Sequence, residues 1–269
     1  MSTLYNLCLH INDDINLAMK YRNEIFYNNN DFFYVLCENG HLNVAKWIYS
    51  IYSIDSNSNQ LFIKNNNGCT PFFVSCENGH LEVAKWIYSI DSNQLFIKDN
   101  NGCTPFYVSC ENGHLEVAKW IYSIDPNQIS IKNNNGCTPF YTSCYYGYLD
   151  TAKWVYSIDP NQLSIKNNQG CTPFFASCYY GYLDVAKWIY SIFSDQLSIK
   201  SNDGCTPFYI SCYNRHLEIA KWIYSISPDQ LSIKNNDGYT PFYISCYYDY
   251  LDVAKWIYSI DHDQINTIE

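Results

Sequence analysis

Cysteines recur along this chain at a fixed spacing, and by residue type they could ligate a metal ion or act as nucleophiles. The chain has 13 cysteines, and a Cys-x6-Cys pattern begins with Cys69 and Cys76 and recurs in four further copies. Zinc sites normally use cysteines with about two to four residues between them, and Cys76 falls on a helix position that suits a small buried residue. We expect Cys69 near the surface, on the other side of the same helix. The sequence therefore predicts no metal site and no cofactor.

A histidine four residues after some of these cysteines could complete a Cys–His dyad for nucleophilic catalysis. His80 follows Cys76 in this way, and His114 has the same place in the next copy. Later copies have Tyr148, Tyr182 and Tyr250 there, and tyrosine, with a pKa of about 10, is not a general base at neutral pH. No phosphate-binding glycine loop and no recurring pair of carboxylates occurs either. The sequence therefore predicts no catalytic residues and a protein that is not an enzyme.

The charge and composition argue against several classes of partner. Sixteen Lys and Arg residues against 26 Asp and Glu give a formal net charge of −10. Duplex nucleic acid and anionic membranes favour basic surfaces, so we expect neither as a partner. With 47% hydrophobic and 16% charged residues, the chain can bury a core. It shows no secretory signal and no apolar run long enough to span a membrane, so we expect an intracellular, cytoplasmic protein with reduced thiols.

The elements that carry these residues follow from an internal repeat. The tetrapeptide Gly-Cys-Thr-Pro recurs every 34 residues, and a tryptophan recurs at the same interval. Residues 67–100 and 101–134 differ at only 5 of 34 positions, which indicates tandem duplication. The copies begin at Gly68, Gly102, Gly136, Gly170, Gly204 and, with Tyr in place of Cys, Gly238. Such a chain is predicted to form a solenoid in which each unit packs on its neighbours, with the tryptophans as a packing ladder.

One copy predicts a pair of helices. Thr70 supplies an N-cap hydroxyl, and Pro71 takes the first helical position, where its missing N–H has no consequence. The first helix is predicted over residues 71–78, and Gly79 ends it because glycine tolerates positive φ. The second helix is predicted over residues 81–89, with one apolar stripe.

The segment after the second helix is predicted to be a short extended arm. Leu95 and Ile97 alternate there with polar residues and lead into the next Asn-rich turn. Two helices of this length cannot bury both faces alone, so stacking against neighbouring units must complete the core.

The copies resemble the ankyrin repeat family. Residues 68–80, Gly-Cys-Thr-Pro-Phe-Phe-Val-Ser-Cys-Glu-Asn-Gly-His, are similar to the family's signature Gly-x-Thr-Pro-Leu-His-x-Ala-Ala-x-x-Gly-His. The resemblance covers residues 31–262 and implies an all-α, ankyrin-type repeat solenoid of stacked helix-turn-helix units with short hairpin-like arms. Arrays this repetitive, with an AT-rich codon bias, resemble those of large DNA viruses and AT-rich protists. A viral origin would imply a host cell as the location.

The resemblance also divides the chain. Residues 1–30 are expected to be a degenerate N-terminal capping segment and residues 263–269 a tail. Seven ankyrin-like repeats are expected between them, over residues 31–66, 67–100, 101–134, 135–168, 169–202, 203–236 and 237–262. Trp47 lies 39 residues before Trp86, so the first repeat is predicted to carry a five-residue insertion around residues 51–55.

Two departures from the family signature bear on packing and stability. The signature His after Thr-Pro-Leu is replaced by Phe or Tyr, from Phe73 onward, so we expect aromatic packing instead of its hydrogen bond. The glycine between the two helices becomes Arg215 and Asp249 in the last two repeats. If these residues have positive φ, each costs on the order of 1 kcal/mol. The last two repeats are then predicted to be the least stable.

The resemblance implies partner contacts at the arm tips and at the two residues that follow the small pair of each first helix. These residues are Glu77, Asn78, Glu111, Asn112, Tyr145, Tyr146, Tyr179, Tyr180, Tyr213, Tyr247 and Tyr248. They predict an acidic, amide-rich strip in the N-terminal half and a tyrosine strip in the C-terminal half. Tyrosine offers a large, rigid contact area at low entropic cost, which is typical of binding surfaces.

The sequence therefore predicts a non-enzymatic protein-interaction module. It would bind an unknown partner protein through its concave face and arm tips, and we expect it to be monomeric. Two alternatives remain open: a metal- or thiol-based protein that uses the Cys/His series, and a purely structural spacer. Codon bias in an AT-rich genome is the competing explanation for the tyrosine strip.

Overall fold

Each Thr-Pro pair begins an α-helix. In the computed structural model, which describes residues 2–21, 29–54 and 62–267, the hydroxyl of Thr70 accepts a hydrogen bond from the backbone N–H of Phe73 at 3.2 Å, and Pro71 is the first helical residue. The same cap recurs, at 3.1 to 3.2 Å, at Thr104, Thr138, Thr172, Thr206 and Thr240. The predicted N-cap and N-terminal proline are therefore confirmed.

The chain divides into two units, residues 1–134 and 135–269, which are described separately. The first unit contains α1 (Ser2–Ile11), α2 (Ile15–Lys20), α3 (Asn29–Glu38), α4 (Leu42–Ile54), α5 (Pro71–Glu77), α6 (Leu81–Ile90), α7 (Pro105–Glu111) and α8 (Leu115–Ile124). The second contains α9 (Pro139–Tyr145), α10 (Leu149–Ile158), α11 (Pro173–Tyr180), α12 (Leu183–Ile192), α13 (Pro207–Tyr213), α14 (Leu217–Ile226), α15 (Pro241–Tyr247) and α16 (Leu251–Ile260). No strand occurs among the described residues.

The two helices of a repeat differ in how much of their surface they bury. In α5 every residue over 71–76 is buried, whereas α6 buries only the stripe of Val83, Ala84 and Ile87. Within each unit, successive first helices contact one another, and each also contacts the second helix of its own repeat. Burying an aliphatic side chain stabilises by about 1.5–3 kcal/mol. Stacking of first helices therefore supplies most of the core.

The tryptophans join neighbouring repeats. Trp120 packs edge-on against Tyr88, with ring centroids 5.7 Å apart, and lies 6.3 Å from Phe72. The equivalent pairs in the second unit are Trp188 with Tyr156, Trp222 with Tyr190 and Trp256 with Tyr224. This geometry is typical of favourable aromatic packing, and it confirms the predicted ladder within each unit.

The arms begin as 3-10 helices rather than as the predicted extended segments. Ser92–Phe96 is such a helix, so Leu95 is helical and the backbone becomes extended only at Ile97. Asp91 explains the difference, because its Oδ1 accepts the backbone N–H two residues on at 3.1 Å and its Oδ2 accepts Nε2 of Gln94 at 2.9 Å. The same element recurs at Pro126–Ser130, Pro160–Ser164, Ser194–Ser198, Pro228–Ser232 and His262–Thr267.

Three expectations concern the ends and the insertion. Helices α1 and α2 occupy the expected capping segment, where Cys8 and Ile11 are fully buried. Helix α4 has 13 residues against 10 in α6, so residues 52–54 of the expected insertion extend this helix, and residue 55 lies outside the described residues. Residues 263–267 of the expected tail belong to the last 3-10 helix, and residues 268 and 269 lie outside the described residues.

Neighbouring arms are joined by pairs of hydrogen bonds. In the second unit the backbone N–H of Asn236 donates to the carbonyl of Asp203 at 2.9 Å, and its Nδ2 donates to the carbonyl of Asn202 at 2.8 Å. Asn100 makes the equivalent pair of bonds in the first unit. The asparagine that recurs at each arm turn therefore links that turn to the preceding one.

The backbone at Arg215 and Asp249 is left-handed. Their φ angles are +62° and +57°, in the same region as the glycines that take this place in other repeats. Arg215 also forms an exposed ion pair with Asp252, with Nε 3.0 Å from Oδ1. Both residues therefore adopt the conformation in which a Cβ is unfavourable.

We expect Arg215→Gly and Asp249→Gly each to raise the free energy of unfolding by up to about 1 kcal/mol, because glycine has no Cβ to oppose positive φ. The increase is smaller for Arg215→Gly, since it also removes a surface ion pair worth about 0.2–1 kcal/mol. Urea unfolding measures both changes. Asp249→Ala is the control and should not stabilise, and a destabilised Asp249→Gly protein would contradict the role assigned to φ.

Two arms lack the acidic cap residue: Phe193 and Ser227 stand in its place, and neither makes a side-chain cap. Asp159 takes this place in another repeat. Asp159 holds the buried Gln162, with Oδ2 2.9 Å from Nε2. Gln196 is fully buried, and among the described residues neither its Nε2 nor its Oε1 has a hydrogen-bond partner. A buried amide without partners destabilises the fold.

Phe193→Asp is expected to raise the free energy of unfolding by about 1–2 kcal/mol. The new carboxylate would cap the 3-10 helix and accept the hydrogen bond of Gln196, and each effect is worth about 1 kcal/mol. Thermal and urea unfolding of the full chain would measure it. Asp159→Phe is the matched reverse change and should lower stability by a similar amount, so stabilisation by both variants would disprove the explanation.

Candidate functional site

Both series of cysteines are buried. Cys76 is 0% exposed and Cys69 only 8%, so the expectation that Cys69 lies near the surface is wrong. The extended end of the arm folds back over it, and its backbone N–H donates to Oδ1 of Asn65 at 3.0 Å. Burial raises the pKa of Cys69 to about 12 and that of Cys76 further. Both are therefore protonated thiols at neutral pH, a state that is a poor nucleophile and a poor metal ligand.

The histidines link successive repeats. Nε2 of His80 donates to the backbone carbonyl of Glu38 at 2.9 Å, and Nε2 of His216 donates in the same way to the carbonyl of Tyr179. Burial lowers the pKa of His80, which keeps it neutral at physiological pH. In the described part of the chain, no three His, Cys, Asp or Glu residues lie close enough to hold a metal ion. These histidines therefore have a structural role, because each one joins its repeat to the preceding repeat.

The tyrosines that replace the signature His keep a hydrogen bond that we expected to be lost. Nδ2 of Asn133 donates to the hydroxyl of Tyr107 at 3.0 Å, and Asn167 donates to Tyr141 at 3.1 Å. Each bond joins a first helix to the arm that follows it, 26 residues on. Aromatic packing therefore adds to this hydrogen bond and does not simply replace it.

In the first unit, the asparagines at the predicted contact positions lie at the C-terminal ends of helices, where their side-chain amides bond to the helix backbone. Nδ2 of Asn78 donates to the carbonyl of Val74 at 2.9 Å, and Nδ2 of Asn112 donates to that of Val108 at 3.0 Å. These amides satisfy carbonyl groups at the ends of α5 and α7. The carboxylates beside them, on Glu77 and Glu111, are half-buried.

Glu77 lies in an acidic environment. Burial raises the pKa of its carboxyl above the ordinary value, and the negative charges of Glu38 and Asp99 raise it further. The ion pairs of this unit, among its described residues, join Lys85 to Glu82 and Lys119 to Glu116 on the second helices. The Glu77 carboxylate therefore lies among other negative charges, while these ion pairs lie on the second helices.

We expect Glu77→Gln to stabilise the protein at neutral pH by roughly 0.5 kcal/mol, the size of ordinary surface charge effects. A carboxyl whose pKa is higher in the folded state loses stability as pH rises from the unfolded value through the folded one. The advantage of Gln should therefore vanish in acid, below the ordinary pKa of 4.5. Urea unfolding at pH 4 and pH 7, with the exposed Glu82→Gln as control, tests it, and a pH-independent difference would refute the cause.

The predicted tyrosine strip lies in the second unit, along a face where first helices and arms meet. Four of its members are exposed, and Tyr247 is the most exposed at 69%. The exposed set is Tyr146, Tyr180, Tyr247 and Tyr248, and the half-buried set is Tyr145, Tyr179 and Tyr213. The strip is therefore a mixture of accessible rings and rings that pack against them.

Two cavities lie along this face. The first tyrosine cavity, of about 470 Å³, is lined by Tyr145, Tyr179 and Tyr180 and by the arm residues Asn167, Gln169 and Asp203. The rings of Tyr145 and Tyr180 are 4.0 Å apart between centroids, and their hydroxyl groups are in contact. Ring contacts between repeats therefore fix the wall of this cavity.

The second tyrosine cavity, of about 520 Å³, lies between the last two first helices and their arms. Tyr239 and Tyr243 are stacked at 4.4 Å with nearly parallel planes, and Tyr247 continues the stack at 6.2 Å. Tyr213 and Tyr248 form an edge-to-face pair at 5.2 Å on the same cavity. The tyrosine strip predicted from the sequence thus includes only some of the tyrosines that line this cavity.

The sequence reasoning missed the tyrosines and carboxylates that the arms and helix starts add. Four residues of the second tyrosine cavity lie outside the predicted contact positions: Tyr239, Tyr243, Asp203 and Asp237. Asp203 and Asp237 occupy the same place in successive 34-residue copies, and this was the available signal. None of the described residues that line either cavity is Lys or Arg. The face is aromatic and acidic.

Comparison with known proteins agrees with this architecture. The family model described as Ankyrin repeats (3 copies) matches residues 32–130 and 192–267, well over half of the chain. A search of the curated proteins gave no significant match. Among the described residues, no helix is both long and apolar enough to cross a membrane. The expected all-α, ankyrin-type repeat fold is confirmed, and the chain belongs to the ankyrin repeat family.

Proposed function

We propose that this protein binds a partner protein through the tyrosine face of its second unit and carries out no catalysis itself. Ankyrin repeats generally serve as protein–protein interaction modules, and the family is typically non-enzymatic. The proposal adds the face: the first helices and arm turns that border the two tyrosine cavities, on the concave side of the predicted repeats.

The single observation that carries the proposal is the accessible aromatic surface on this face. Tyr146, Tyr180, Tyr247 and Tyr248 are exposed next to cavities of roughly the size that binding sites have. Contiguous exposed aromatic surface is uncommon on proteins without a partner.

We also propose the assignments that the sequence made for the remaining parts. The chain would contain seven repeats, act as a monomer inside a cell and use Glu77, Asn78, Glu111 and Asn112 as secondary contacts. Support for an intracellular location comes from the cysteines of the described segments, which are thiols. Support for the secondary contacts comes from the acidic environment of Glu77.

The test is affinity capture from the native cell with matched baits. Tyr247→Ala with Tyr248→Ala removes the two most exposed rings of the face, and Tyr258→Ala removes a ring on α16 that is 41% exposed, close to the 44% of Tyr248, and lines neither cavity. We expect one or more proteins to bind the unaltered chain and the Tyr258→Ala bait but not the double variant. If all three baits capture the same proteins in equal amounts, this face is not the binding site.

A further inference from the structure

We propose that the second tyrosine cavity binds a cationic side chain, Lys or Arg, presented by a basic segment of the partner protein. The inference rests on the proposed function and specifies the chemistry of the partner at that face. It follows from three features of the cavity: its ring geometry, its carboxylates and the absence of a cation among its lining residues.

The rings provide a surface that suits a cation. A Lys or Arg group is attracted to the face of an aromatic ring within about 6 Å of its centroid. Tyr239, Tyr243 and Tyr247 form a stack with interplanar angles of 5° and 16°, in which Tyr239 and Tyr243 cover each other's inner faces, so the stack offers a cation its outer ring faces. Tyr213 and Tyr248 supply further rings of the same cavity. Arg stacks on such surfaces particularly well because its guanidinium is planar.

The carboxylates set the sign of the charge. Asp203 and Asp237 both line the cavity, at the tips of successive arms. Among the described residues, the ion pairs of this unit are formed elsewhere, by Arg215 with Asp252 and by Lys221 with Glu218. Two carboxylates without an ion-pair partner beside an aromatic wall attract a cation and repel an anion.

The arm lysines lie outside the lining of this cavity. Nζ of Lys200 lies 3.4 Å from the carbonyl of Lys234, to which it donates, and neither lysine lines the cavity. A volume of about 520 Å³ accommodates a long side chain together with part of its backbone. A neutral apolar segment would leave both carboxylates unpaired on binding, which is unfavourable. A basic segment satisfies the carboxylates and the rings together.

Titration with small model peptides tests the inference on the full chain. The probes are acetyl-Gly-Arg-Gly-amide and the same peptide with citrulline, which keeps the shape of Arg but has no charge. We expect saturable binding of the arginine peptide, followed by NMR, that is at least tenfold tighter than binding of the citrulline peptide and weakens with added salt. Equal affinity for both peptides, or no saturable binding of the arginine peptide, would overturn the proposal.

Matched variants locate the binding. Asp203→Asn with Asp237→Asn should weaken binding of the arginine peptide at least tenfold, whereas Glu218→Gln, which changes charge on α14 outside both cavities, should leave it unchanged. Tyr243→Leu keeps an apolar side chain but removes a ring, and should also weaken binding. Unfolding curves recorded for every variant exclude loss of folding as the cause. Equal binding by all variants would place the cation elsewhere and refute this site.

The outcome separates the inference from the proposed function. If the Tyr247→Ala and Tyr248→Ala bait loses its captured partner while the arginine peptide does not bind, the face is a binding site but its ligand is not cationic. If that bait keeps its partner and the arginine peptide still binds at Asp203 and Asp237, the cavity is cation-binding but is not the partner site. The two ideas therefore fail independently.

Discussion

Gly204→Ala is expected to lower the free energy of unfolding by about 3 kcal/mol, whereas Gly238→Ala should lower it by only about 1 kcal/mol. Both glycines have positive φ, of +76° and +86°. A Cβ is unfavourable in this conformation, so it destabilises the folded state of both variants by about 1 kcal/mol. They differ in what the new methyl group would meet. This pair therefore separates backbone strain from the cost of breaking contacts between arms.

The environment of Gly204 leaves no room for a side chain. A Cβ there would lie 2.2 Å from Oδ1 and 2.8 Å from the backbone nitrogen of Asn236, whereas at Gly238 nothing lies within 4 Å. Relieving the clash moves Asn236, which donates hydrogen bonds to the carbonyls of Asp203 and Asn202. Losing these two bonds accounts for about 2 kcal/mol.

Urea unfolding of the full chain measures the difference, and hydrogen exchange at Asn236 reports whether the bond between arms is lost. Gly238→Ala is the control because it has the same change of residue and the same sign of φ. Equal destabilisation by the two variants would show that the arm contact contributes little. It would also mean that glycine is required at these turns for its backbone conformation alone.

Local rules predicted the helices well from the sequence. Thr70 and Pro71 mark a helix start that depends only on neighbouring residues, and the helices end within one residue of the predicted positions. Glycines and their two replacements, Arg215 and Asp249, share positive φ because the connection between the helices requires it. The helix boundaries and the turns between the helices were therefore predictable.

The arms and the acidic wall were predicted less well, for local and for distant reasons. Leu95 alternates with polar residues like a strand, but the arm coils because Asp91 caps it and binds the buried Gln94. Cys69 was expected near the surface, and it is buried because the extended arm end covers it. The acidic wall at Asp203 was missed, because the recurrence of Asp203 and Asp237 points to it only when it is known how arms from two repeats meet first helices.

The remaining prediction concerns the tyrosines with the central place on the proposed face. Tyr179 lines both tyrosine cavities, and Tyr180, 38% exposed, lines the first of them. Their rings are 4.6 Å apart, and Tyr180 also packs against Tyr145. Central aromatic residues carry most of the energy of an interface, often about 2 kcal/mol or more each. These two residues are therefore where truncation should affect binding most.

We expect Tyr179→Ala with Tyr180→Ala to weaken binding of the captured partner by more than tenfold, a change of at least about 1.4 kcal/mol. Stability should change little, by about 1 kcal/mol, because the loss is confined to contacts between partly exposed rings. Isothermal titration calorimetry gives the affinity and thermal unfolding the stability. Tyr258→Ala, at 41% exposure and remote from both cavities, should alter neither.

The two measurements together distinguish the explanations for the tyrosine strip. A large fall in stability with Tyr179→Ala and Tyr180→Ala would identify both as packing residues, because buried aromatic truncation costs about 3–5 kcal/mol. Unchanged affinity with unchanged stability would leave codon bias as the cause of the strip. Reduced affinity with a nearly unchanged melting temperature is the result expected of a binding surface. An exposed ring on such a surface stabilises the complex with the partner but does not stabilise the fold.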